Sequence, residues 1–110
     1  MKSNKNLGEF EILVLASVLR QDGDAYGASI KKDIEERTGR SVSIGALYAT
    51  LSRLEEKAYV SAEMGEATPE RGGRAKRYFR IEPTGRVLLE RSVSSMRNMV
   101  EGLFPWPAAQ

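Results

Sequence analysis

The chain has no cysteine and no histidine among its 110 residues. Without cysteine there is no disulfide, no thiolate nucleophile and no thiolate metal ligand. Without histidine, the usual general base at neutral pH and the commonest nitrogen ligand of zinc are missing as well. Together these absences exclude a hydrolase triad and a zinc centre. The remaining carboxylates are scattered, so neither an enzyme nor a cofactor is expected. Long apolar runs are also lacking. No stretch is long enough to cross a bilayer, and residues 1–6 lack the apolar centre of a signal peptide, so a cytoplasmic protein with no membrane partner is expected.

The residues present suit a single domain, with 41% hydrophobic and 29% charged positions. A net charge of +2 says little about partners, but its distribution says more. Arg71, Arg74, Lys76, Arg77 and Arg80 fall in a ten-residue stretch that contains no acid, whereas elsewhere acids and bases alternate. Such a run is either a solvated surface or a site for an anionic partner.

Residues 7–20 are apolar on nearly every side and long enough for a helix. A helix of that kind must be covered all round, which hints at a partner subunit. Gln21-Asp22-Gly23-Asp24 reads as a turn. A second helix is predicted over residues 26–37, with Asp24 as N-cap, Tyr26, Ile30 and Ile34 towards the core, and Gly39 closing it. Residues 40–42 connect to a third helix capped by Ser43.

That third helix is the most informative stretch. Ile44, Leu47, Leu51 and Leu54 recur at helical spacing and form a core stripe. The other side carries Gly45, Tyr48, Ala49, Ser52 and Arg53, small or hydrogen-bonding residues with a single charge. A solvated helix face is usually richer in Glu and Lys. Small residues flanking a few donors suit a face that lies in a DNA groove. Tyr48 turns away from the leucine stripe. Arg53 has two readings, a groove donor or an intrahelical partner for Glu56 three residues on.

Beyond this helix the period changes to two. Val60, Ala62 and Met64 alternate with polar neighbours, as do Arg77, Phe79 and Ile81, giving a two-stranded hairpin. Its tip, residues 66–75, holds Pro69, Gly72 and Gly73 among the basic residues. Arg77 shares a strand face with Phe79 and Ile81, which makes its neighbours the better wing candidates. Pro83 fits the first turn of a last helix. There Leu89, Val93, Met96, Val100 and Leu103 follow at spacings of four, three, four and three, the seam of a dimerising coiled coil.

Three helices followed by a basic hairpin define a mainly α fold with a small β-hairpin, a winged helix-turn-helix with a C-terminal dimerisation helix. Its predicted organisation is an arm at 1–6, a DNA-binding domain at 7–82, a dimerisation helix at 83–104 and a tail at 105–110. In this architecture the third helix enters the major groove while the hairpin follows the backbone. The run Gly45-Ala46-Leu47-Tyr48, then Leu51, Arg53-Leu54 and Gly72-Gly73-Arg74-Ala75-Lys76-Arg77-Tyr78-Phe79, resembles the PadR-like transcriptional regulators. Leu7-Gly8-Glu9-Phe10, Tyr26-Gly27 and Gly85 match as well.

The resemblance implies a homodimeric repressor of a pseudo-palindromic double-stranded DNA operator, released by a small aromatic or drug-like ligand. Carried over by motif, Tyr48 contacts DNA with Ser43, Gly45, Ala49, Ser52 and Arg53 nearby, and Arg71, Arg74 and Lys76 are wing contacts. A ligand cavity is expected where Leu88, Met96, Met99 and Trp106 gather at the dimer axis. Two departures stand out: Ala58 replaces the usual Gly after the recognition helix, and Glu82 replaces the Thr that caps the last one. The other reading of the same architecture is a winged-helix protein–protein interaction module without specific DNA binding.

Overall fold

The computed structural model describes residues 6–65 and 76–105. In chain order these form α1 (Glu9–Gln21), α2 (Gly27–Thr38), α3 (Ile44–Glu56), β1 (Val60–Met64), β2 (Arg77–Ile81) and α4 (Pro83–Val100). The domain expectations at 1–6, 66–75 and beyond residue 105 lie largely outside the described residues, as do Arg71, Arg74 and Trp106.

Helix α1 is the hub. Val14, Leu15 and Val18 are buried, and α2, α3, β2 and α4 all pack on it. Phe10, Ile12, Leu13 and Leu19 are partly buried against the same core. The all-round apolar character that suggested a partner subunit is therefore satisfied largely within the chain. Gly8 donates its N–H to the Glu11 carboxylate at 2.8 Å, which fixes the helix start. Asp22 closes it in the left-handed conformation at φ 50°.

Asp24 does not cap α2. Its N–H donates to the Gln21 carbonyl at 3.1 Å, and the helix begins later, with Tyr26 as N-cap. Tertiary pairing explains the delay. Phe79 of β2 donates its N–H to the Ala25 carbonyl at 2.8 Å, forming an antiparallel bridge that holds residue 25 extended. The Ser29 hydroxyl instead accepts the Tyr26 N–H at 2.9 Å. The hairpin pairs Val60 with Ile81 through Met64 with Arg77, and Phe79 is buried at its centre.

A polar cluster ties α1 to α2. Ser17 donates to Asp33 at 2.7 Å, Gln21 donates to Ser17 at 3.0 Å, and Arg37 donates to Asp33 at 2.8 Å. Burial alone would raise the Asp33 pKa, but the Ser17 hydroxyl and the Arg37 guanidinium outweigh it and hold the carboxyl below its ordinary value.

The first half of α4 packs on α1 and carries the buried Leu88, Leu89 and Ser92, the Ser92 hydroxyl accepting the Leu7 N–H at 2.9 Å. The helix ends at Val100, earlier than the residue 104 expected. Glu82 is its N-cap and makes no side-chain capping bond, so Pro83 and the backbone set the start. Gly85 lies flat on the segment after α3, where a methyl group would overlap the Tyr59 carbonyl oxygen.

Candidate nucleic-acid interface

Ser43 caps α3, its hydroxyl accepting the Ala46 N–H at 3.2 Å. Leu47, Thr50, Leu51 and Leu54 face inward and are buried. Gly45, Tyr48, Ala49, Ser52 and Arg53 are all exposed, so the helix presents the face expected of it. Ile44 departs from expectation. It was placed in the core stripe, yet 47% of its surface is exposed. The stripe is continuous in angle, but the core beneath it ends one turn short of the helix start.

Tyr48 is 45% exposed and lies across the beginning of α2. Its ring occupies the space above Gly27, where a methyl group would stand 2.6 Å from Cζ and overlap the hydroxyl. Arg53 does not take the intrahelical partner expected of it, Glu56. Its guanidinium donates to the Thr50 hydroxyl at 3.2 Å, turned back along its own helix, and makes no ion pair with Glu56 among the described residues.

The end of α3 depends on Ala58. The Tyr59 N–H donates to the Leu54 carbonyl at 2.9 Å and the Ala58 N–H to Glu55 at 3.0 Å, a Schellman ending. Ala58 is left-handed at φ 64°, so an alanine holds the conformation that glycine adopts without penalty. The Thr84 hydroxyl donates to the Ala58 carbonyl at 2.9 Å and ties α4 to this turn.

Besides the Phe79–Ala25 bridge, side chains of the wing's second strand and of Lys76 before it tie the wing to the helices. Lys76 places its ammonium 3.6 Å from the centre of the Tyr26 ring, which meets Tyr78 edge-on at 5.7 Å. Tyr26 thus belongs to the wing contact and not to the core of α2. Arg77 donates to both Glu55 carboxylate oxygens at 2.9 Å and joins β2 directly to α3. Sequence reasoning missed this pair, because charge and spacing alone do not show which helix residue faces the strand.

The connection into α3 is also held. Val42 is buried, and its N–H donates to Glu35 at 2.8 Å, while Lys31 donates to the same oxygen at 2.9 Å. These bonds, that from Val42 foremost, lower the Glu35 pKa. The start of α3 is therefore positioned by α2 rather than left to a loose linker.

In the last helix, the residues expected along the seam separate into two groups. Leu89 is only 6% exposed and belongs to the core of its own chain. Val93 and Met96 are exposed, with Met99 beside them at 80%, because α4 has run past the part of α1 it packs on, while Val100 is half-buried and Leu103, expected on the same seam, falls in the turn after the helix end. Leu88 is buried, so among the described residues of the expected ligand wall Met96 and Met99 are open.

The helices, the hairpin docked on them and the exposed small-residue face of α3 define a winged helix-turn-helix protein. The chain belongs to the transcriptional regulator PadR-like family, whose pattern it matches over residues 14–91. Its fold is similar to that of a PadR family transcriptional regulator from Eggerthella lenta, with TM-score 0.72 and 21% identity, covering 86% of this chain and 77% of that one. A PadR family transcription regulator from Clostridium difficile is similar at TM-score 0.63 and 25% identity, covering 86% of this chain and 100% of that one. An uncharacterized 37.1 kDa protein in transposon TN4556 of Streptomyces fradiae is 36% identical over 96 residues, 86% of this chain. This chain spans 25% of that relative's length.

Proposed function

We propose that the protein is a sequence-specific DNA-binding repressor acting as a homodimer. The observation that carries this reading is the outward face of α3, where Gly45, Ala49 and Ser52 leave room for a groove wall and Tyr48 and Arg53 flank it with donors. Ser43 opens the same helix. Lys76, with Arg71 and Arg74 of the tip, would neutralise backbone phosphates beside it. The exposed Val93 and Met96 of α4, with the half-buried Val100 at its end and Leu103 in the turn beyond, support pairing with a second copy, since apolar side chains gathered in this way are costly to leave in water. A small aromatic effector fits between the two copies, where Met96 and Met99 offer soft, adaptable apolar walls.

Footprinting on the DNA flanking its own gene tests the proposal. Protection of two half-sites about one helical turn apart is expected. Replacing Arg74 and Lys76 by Ala should flatten the salt dependence by about one unit of slope per lost phosphate contact. Met96→Glu should shift sedimentation to the monomer and abolish protection. Weak binding equal for every sequence, together with a stoichiometric protein partner, would favour the interaction module instead.

A further inference from the structure

We infer that Ile44 is a specificity determinant that packs against the C5-methyl of a thymine at the leading end of the recognition helix; this inference rests on the DNA-binding reading above.

Within α3, Ile44 is the one large aliphatic side chain left exposed, while its stripe neighbours Leu47, Leu51 and Leu54 are buried. It occupies the first helical position, and a helical side chain leans towards the N-terminus, so it projects from the end of the helix that leads into the groove. In helix-turn-helix docking the first residues of the recognition helix are those that reach base edges. Thymine is distinguished in the major groove by a methyl group, and an apolar side chain is what recognises it.

Its surroundings point the same way. Ile44 lines a shallow groove of about 360 Å³ with Ala28, Lys31, Lys32, Glu35 and Glu36 of α2. The charges there are matched on their own helix: Lys31 holds Glu35 at 2.9 Å, and Lys32 stands 3.9 Å from Glu36. The groove wall beside Ile44 thus has no unmatched acid to repel DNA. Its backbone is held on both sides, by the buried Val42 tied to Glu35 and by the Ser43 cap. A side chain in a fixed position discriminates between bases, where a mobile one would only add contact. Gly45 and Ala49 leave the space needed for the branched side chain to come within reach.

The experiment starts from duplexes selected by the full-length protein out of a random pool. Each thymine of the selected site is then replaced in turn by deoxyuridine, which removes only the methyl. For the wild type, one position per half-site should lose about fourfold in affinity, the ratio expected for one apolar carbon returned to water. Ile44→Ala should bind the selected site more weakly but show no further loss at that deoxyuridine. Ile44→Val, which keeps a branched side chain, should retain most of the discrimination. Thermal unfolding should be nearly unchanged in both variants, because the side chain is exposed. Three outcomes would overturn the inference: no deoxyuridine position costs the wild type affinity, the cost persists undiminished in Ile44→Ala, or Ile44→Ala weakens selected and random duplexes equally. Failure to select any duplex would instead overturn the DNA-binding reading itself.

Discussion

The absent side chain of Gly27 makes the seat for the Tyr48 ring. A methyl group at Gly27 would stand 2.6 Å from the Tyr48 Cζ and overlap the hydroxyl, so the ring would have to move. The first residue of one helix therefore sets the direction of an aromatic side chain on another, at the centre of the proposed DNA face.

Gly27→Ala should accordingly act on Tyr48 more than on the core. The ring is half-exposed and can swing outward, and alanine in a helix gains up to about 1 kcal/mol over glycine. Urea unfolding should change by less than about 1 kcal/mol while operator affinity falls as far as in Tyr48→Ala. In a Tyr48→Ala background, Gly27→Ala should cost no further affinity and should raise stability. A full additional loss in that background would separate the two residues.

Gly85→Ala has no such outlet. The added carbon would stand 3.0 Å from the Tyr59 carbonyl carbon and overlap its oxygen, both main-chain atoms. Overpacking of this kind costs about 1–3 kcal/mol, and the start of α4 must lift from the turn after α3. The loss should be visible as a lower urea midpoint.

Ala58→Gly should stabilise the protein. A non-glycine residue in the left-handed region bears about 1–2 kcal/mol, partly offset by the greater freedom of glycine in the unfolded chain. The net gain expected at φ 64° is about 0.5–1 kcal/mol, read as a higher urea midpoint with unchanged slope. No effect would mean that the Thr84 bond to the Ala58 carbonyl and the packing of Tyr59 already absorb the strain.

Asp33 predicts the sign of the acid response. Its folded pKa lies below the ordinary value of 3.8, so its ion pair and hydrogen bonds contribute above the unfolded pKa and are lost as pH falls through the folded one. Glu35 is lowered too and acts in the same direction. Asp33→Asn should lower stability at neutral pH and flatten the fall in stability below about pH 4. An Asp33→Asn protein as stable as the wild type at pH 7 would remove this account.

Much of the fold could be read directly from spacing. The Leu47, Leu51 and Leu54 stripe, the alternation through Val60 and Phe79 and the outward direction of Tyr48 all follow from the angular period of helix or strand, which depends only on residue order. At residue 58 the family resemblance marked only a departure, an alanine where glycine is usual, and the structure shows that the alanine itself takes the left-handed conformation.

What periodicity lacks is any measure of how far cover extends along an element. Ile44 and Leu47 share a stripe, yet the core ends between them, and Leu89 and Val93 part company in the same way where α4 outruns α1. Contacts between segments distant in sequence account for the rest. The bridge from Phe79 to Ala25 displaced the cap from Asp24 to Tyr26, Arg77 found Glu55 across the wing, and Tyr48 found its space above Gly27. Local order thus assigned each side chain a direction. Whether it met protein or water in that direction was settled by elements brought together from far along the chain, because burial depends on what lies opposite and not on what lies next.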